Sequence, residues 1–136
     1  MRSILPIAAG FLFIAVLTLG TDVLVRVAFP DAFDESGHTE KLPLLIFSLV
    51  DLGIYTIVGC YLAARLAPSR PMWHALVVGV LGLIFLVADT IELWPKAPTW
   101  FYVLSLAPMM LYAWIGGKLA ERARTTGGTP SAARGA

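Results

Sequence analysis

The chain has 136 residues, of which 58% are hydrophobic and only 14% charged, and its mean hydropathy is +0.80. A soluble domain carries about 25% charged residues, and a chain this short has no interior large enough to hide the apolar excess, so the composition implies lipid as the solvent. A formal net charge of +1 argues against nucleic acid as a partner, and the single cysteine, Cys60, excludes an intramolecular disulfide and a thiolate metal site.

The first apolar run, residues 4–26, is long enough to cross a bilayer, which takes about 20 helical residues. Arg2 precedes it as in a signal peptide. The run is too long for an h-region, however, and Leu19-Gly20-Thr21-Asp22 is a poor cleavage site, so the segment is expected to remain as a span. Residues 29–41, FPDAFDESGHTEK, are polar, acidic and punctuated by Pro30 and Gly37, which predicts a loop. Asp34, Glu35 and His38 have metal-ligand types, but no second ligand cluster exists, and they are read as a solvated loop.

Residues 42–66 form the second expected span. Ala67-Pro68-Ser69-Arg70-Pro71 is a tight turn in which proline ends one helix and starts the next. Residues 72–93 form the third span, Trp94-Pro95-Lys96-Ala97-Pro98 a second short turn, and residues 99–120 the fourth span. The tail, residues 122–136, is rich in Arg, Thr, Gly, Ser, Ala and Pro and has almost nothing to bury, which predicts disorder. The expected architecture is an all-α transmembrane domain over residues 1–121, with four helices in two hairpins.

Cations orient the bundle. With the N-terminus inside, the inner side holds Arg2, Arg65, Arg70, Lys118, Arg122, Arg124 and Arg134, seven of the ten Lys and Arg residues. The positive-inside rule then places both termini in the cytoplasm and the acidic loop outside, with Trp94 and Trp100 at the outer interface and Trp73 at the inner one.

An element occurs twice. Residues 48–65, SLVDLGIYTIVGCYLAAR, and 105–122, SLAPMMLYAWIGGKLAER, align at a constant offset of 57 with seven identities, among them Tyr55/Tyr112, Gly59/Gly116 and Arg65/Arg122. This pattern suggests a strongly diverged duplication whose halves are parallel repeats about an axis along the membrane normal. Gly59 and Ala63, Ala75 and Gly79, and Ala113 and Gly117 are small-xxx-small pairs of the kind that let membrane helices approach closely.

Three carboxylates fall within spans: Asp22, Asp51 and Asp89. A charge at the centre of a span costs about 2.5–3.5 kcal/mol on insertion scales, so each needs a reason. Arg26 follows Asp22 by one helical turn and is the natural counter-ion. Asp51 lies ten residues after Lys41, hence about 15 Å deep, and shares a helix face with Tyr55 and Gly59. These residues define a candidate polar site of Asp51, Asp22, Arg26, Tyr55 and Asp89. It is expected either to hold an interhelical ion pair through Arg26, with Asp51 hydrogen-bonded to a neighbouring polar side chain, or to bind a proton, cation or small polar solute.

His38 and His74 are expected on opposite sides and cannot share a metal or haem. No H-E-x-x-H, G-x-S-x-G or phosphate-binding glycine loop is present. No catalytic, cofactor-binding or metal-ligating residue is therefore assigned.

The first span ending Gly20-Thr21-Asp22, the Phe29-Pro30-Asp31 loop, the Gly59 to Pro71 turn and the Gly116 to Arg122 ending resemble a broad class of small bacterial inner-membrane proteins with four spans and no assigned activity. Small multidrug exporters, also four-span, are less similar, because their membrane carboxylate is a Glu in the first span. The resemblance implies the inner membrane as location. The expected function is a non-enzymatic accessory or assembly component in contact with the bilayer, self-associating or joined to another membrane protein. A small oligomeric transporter or proton-coupled carrier using the outer polar pocket is one alternative, and a membrane enzyme is another.

Overall fold

The computed structural model of the chain describes residues 4–35, 38–94 and 96–126. It consists of α1 (Ile4–Ala28), a 3-10 turn at Pro30–Ala32, α2 (Leu42–Leu66), α3 (Pro71–Leu93), α4 (Thr99–Leu106) and α5 (Met109–Thr126), with no strand among the described residues. Four helical segments are long and apolar enough to cross a membrane, α4 and α5 together forming the fourth. The protein is thus an all-helical, multi-pass membrane protein. Proline starts the later spans: Pro43 and Pro71 lie in the first turns of α2 and α3, and Pro98 immediately precedes α4. There the missing N–H has no helical partner to lose, and the ring presets φ.

The fourth span is not the single helix expected over residues 99–120. Pro108 has no N–H, and its ring crowds the carbonyl four residues back. The helix breaks at residues 107–108, although the Ala107 N–H still bonds the Val103 carbonyl at 3.0 Å and the Tyr112 N–H bonds Pro108 at 2.9 Å. The span also runs further than expected. Residues 122–126, assigned to a disordered tail, continue α5 to Thr126, and the remainder of that expected tail, residues 127–136, lies outside the described residues.

The extension is anchored by Arg124. Its Nη2 sits among three carbonyl oxygens at the end of α2, those of Ala64 at 2.7 Å, Arg65 at 3.0 Å and Ala67. The last carbonyls of a helix have no intrahelical donor, so a cation placed there satisfies them and complements the helix dipole. The Thr125 and Thr126 hydroxyls each donate to the Arg122 carbonyl at 2.8 Å.

α2 and α5 share the most extensive contact; α1 packs on α2, and α3 packs on both α5 and α2. The half of the bundle that carries Arg65, Arg70 and Arg124, here called the basic half, is closed. Cys60, Ala63, Ala64, Ala75, Val78, Ala113 and Ala120 form a wholly buried core there. Small residues make this possible. A Cβ on Gly59 would lie 2.2 Å from Cγ1 of Ile14 and 2.9 Å from the Gly10 carbonyl oxygen, and one on Gly116 would lie 2.5 Å from the Ile57 carbonyl oxygen. The small-residue pairs of α3 and α5 meet in the same way, Gly79 facing Ala113 and Gly117 facing Met72 and Ala75.

The opposite half is acidic. Of the nine Asp and Glu residues, all but Glu121 lie in it or in its loops. Here the helices are held apart by side chains rather than drawn together by their absence. Tyr55 spans the gap from α2 to α1 with its hydroxyl 2.7 Å from the Thr21 hydroxyl. The result is a bundle with a closed core at one end and an open cavity at the other.

Candidate functional site: an acid-lined cavity

The open cavity, of about 270 Å³, lies in the acidic half, and every span contributes to it. α1 supplies Thr18, Asp22 and Arg26, α2 supplies Ser48 and Asp51, α3 supplies Asp89 and Thr90, and α4 supplies Tyr102 and Ser105. His38 and Phe33 of the long loop close over it.

Four of the five residues expected to form a polar site therefore surround one cavity: Asp22, Arg26, Asp51 and Asp89. Tyr55 is not among its lining residues; its hydroxyl is engaged with Thr21, one turn below Asp51. The expected counter-ion role of Arg26 is not what the geometry shows. Among the described residues the ion pairs are Lys118–Glu121 and His38–Asp34, and neither involves Arg26. Its guanidinium instead stands 5.8 Å from the centroid of the Phe33 ring in the loop. A long cationic side chain near a helix end reaches for the interface, and here an aromatic face meets it on the way.

The carboxylates are consequently without side-chain partners. No hydrogen bond or ion pair links Asp22, Asp51 or Asp89 to another side chain among the described residues. The hydrogen-bonded partner expected for Asp51 is absent because Tyr55 bonds across to α1 instead. Asp22 is nonetheless close enough to Arg26, Asp89 and Asp51 for their charges to be felt. With three Asp and one Arg, the cavity carries a formal charge of −2 when His38 is neutral.

The hydroxyls of the wall divide in two. Thr90 donates to the Leu86 carbonyl at 2.7 Å, Ser105 donates to the Phe101 carbonyl at 2.6 Å, and the Tyr102 hydroxyl accepts the Ala97 N–H at 3.1 Å. The Thr18 hydroxyl, by contrast, is buried with no hydrogen-bond partner among the described residues.

Asp34 and His38 act on each other. The His38 N–H donates to the Asp34 carboxylate and the Asp34 N–H to the His38 carbonyl, both at 2.8 Å, so the pair closes the loop over the cavity. No cluster of three or more metal-ligating residues occurs among the described residues. His74 lies far from this site, beside Arg70 at the basic end, with Nδ1 donating to the Arg70 carbonyl at 3.1 Å. Sequence reading missed Thr18, Tyr102, Ser105 and Thr90. Their only signal was polarity within an apolar run, which single Ser and Thr residues in membrane helices commonly show without being functional.

Comparison of the chain with protein-family models, with curated proteins and with solved structures finds no match.

Proposed function

We propose that the protein is a multi-pass inner-membrane protein that binds a small organic cation in the acid-lined cavity, as the solute-binding step of a small carrier. The observation that supports this reading most directly is the convergence of Asp22, Asp51 and Asp89 from three helices on one open cavity, with no cation among the described residues ion-paired to any of them. Ionisable groups inside spans are retained for transport or binding by default. A pair that merely fixed helix register would be closed on itself across two helices.

The cavity, at about 270 Å³, lies at the small end for ligand sites and suits a solute of guanidinium or choline size. This reading is preferred to an accessory or assembly role, for which an unpaired acidic cavity has no use. It is preferred to an enzyme because the wall offers charge, while the Thr90 and Ser105 hydroxyls are already donated to backbone carbonyls. The concentration of cations in the basic half supports placing that half and both termini in the cytoplasm, so the cavity faces outward. The seven identities between residues 48–65 and 105–122 support reading the chain as two related hairpins.

Calorimetric titration of the detergent-purified full chain with choline and with guanidinium tests the proposal. Saturable binding is expected for at least one of them. It should weaken about tenfold in Asp51→Asn and in the Asp22→Asn/Asp89→Asn double variant, the equivalent of roughly 1.4 kcal/mol of lost charge attraction. A folded protein that binds neither cation overturns the proposal.

A further inference from the structure

At the other end of the molecule, α5 has a face that no other helix covers. Gly116 packs against α2 and Gly117 against α3, which turns Trp114, Lys118 and Arg122 outward along one stripe at helical spacing. A shallow groove of about 400 Å³ follows this stripe, flanked by Leu119, Glu121 and Thr125. Lys118 holds Glu121 at 3.2 Å, while the Arg122 guanidinium has no partner among the described residues. The groove therefore carries one net positive charge, Lys118 and Arg122 against Glu121.

Its depth decides what can occupy it. Gly117 abuts Met72 and Ala75 in the first turns of α3, so Lys118 lies at the level where Trp73 emerges and the span ends. Trp114 is one turn deeper, about 5–6 Å towards the apolar interior. The stripe is thus aromatic and aliphatic on the membrane side and cationic at the boundary. An aqueous anion would find the lower half apolar, and a zwitterionic lipid would bring its own headgroup cation against Lys118 and Arg122 together with its phosphate. An anionic amphiphile matches both halves.

We propose that this groove binds the headgroup phosphate of an anionic phospholipid, with Arg122 and Lys118 donating to the phosphate oxygens and the acyl chain lying over Leu119 and Trp114. Arg presents a donor fork suited to phosphate, and Lys adds a point charge. The site is separate from the acid-lined cavity and does not depend on it.

Trp114 is a built-in reporter. A Trp73→Phe/Trp94→Phe/Trp100→Phe variant leaves it as the sole tryptophan, reconstituted in bilayers containing brominated phosphatidylglycerol or brominated phosphatidylcholine at equal mole fraction. Quenching is expected to report a roughly fivefold preference for the anionic lipid, the factor that one net cation gives at a charged membrane surface. The preference should fall to one or below in Lys118→Gln/Arg122→Gln, where Glu121 is left as the groove's net charge, and persist in Lys41→Gln/Lys96→Gln, which alters the opposite end. Equal quenching by the two lipids, no quenching by either, or a preference insensitive to Lys118→Gln/Arg122→Gln overturns the proposal. Native mass spectrometry of the unaltered chain, comparing retention of phosphatidylglycerol and phosphatidylcholine, gives the same answer without the tryptophan substitutions: equal retention refutes it.

Discussion

In α2, Tyr55 reaches Thr21 of α1, and one turn on Gly59 lets the Gly10 backbone of the same helix approach. In α5, the Tyr112 ring lies over Gly53 of α2, and one turn on Gly116 meets the Ile57 carbonyl, again of α2. The two similar segments thus each present a Tyr-xxx-Gly edge to a neighbouring helix, α2 to α1 and α5 to α2, while α5 also packs on α3 through Gly117 and Gly79. The copies also diverge at one aligned position, Asp51 in the first and Pro108 in the second. The first places a carboxylate in the cavity. The second interrupts the fourth span just after Tyr102 and Ser105, which lie on the cavity wall.

The strongest way to break the comparison is at the glycines. The Cβ of Gly116→Ala would meet the Ile57 carbonyl oxygen and the Tyr61 nitrogen, both backbone, whereas that of Gly59→Ala would meet mainly the Ile14 side chain. Backbone cannot rotate away, so Gly116→Ala should cost about 3 kcal/mol and Gly59→Ala about 1 kcal/mol less. Thermal unfolding of the two variants in one detergent measures the difference, and equal losses would show that both edges are equally rigid.

The arginines that follow come next. The repeat pairs Arg65 with Arg122, but the cation that caps α2 is Arg124. Arg124→Ala should lower stability by about 2 kcal/mol, since it strips a charged donor from several carbonyls at once. Arg122→Ala, with no such bond to lose, should stay within about 0.5 kcal/mol. Limited proteolysis adds a local readout, because cleavage near residues 122–126 should accelerate in Arg124→Ala alone.

The tyrosines give a smaller contrast. Tyr55→Phe removes the 2.7 Å bond to Thr21 and should cost about 1 kcal/mol, within the range of interhelical bonds in membranes. Tyr112→Phe keeps the ring on Gly53 and should be neutral. If both are neutral in thermal unfolding, the acidic half is held open by packing alone.

Much of this architecture was readable in advance, and the misses share a cause. The spans follow from length and hydropathy, properties of a segment taken alone, and four helices long and apolar enough to cross a membrane are present, the fourth running six residues past its expected end. The small-residue seams follow from spacing on one helix. What could not be read were pairings between helices. Arg26 has an acid one turn away, yet it reaches outward to Phe33, because a ring brought in by the loop competes with that acid. Arg124 lies in a tail whose composition predicts disorder, yet it is ordered by carbonyls that belong to α2. Pro108 was visible as a residue, but whether a proline kinks a membrane helix or interrupts it depends on what re-satisfies the freed groups.

Asp51 provides the last and smallest stability effect, and it separates the two copies most cleanly. Had its carboxyl held a neighbouring side chain, Asp51→Leu would strand that partner and cost more than Asp51→Asn. No such partner occurs among the described residues, and the order should reverse. Asp51→Asn should change stability by less than about 0.5 kcal/mol, because it exchanges one polar cavity group for another. Asp51→Leu should be neutral or slightly stabilising, because it removes a charge from the middle of a span and strands nothing. Cation binding should fall in both, so the site is recognised by stability and affinity moving independently. At Pro108 they should move together: Pro108→Ala restores an N–H, straightens the fourth span and draws α4 away from the wall. Thermal unfolding and titration with choline on the same three preparations decide this. Asp51→Leu less stable than Asp51→Asn would mean that the carboxylate anchors a neighbour, and the cavity would then be a by-product of packing.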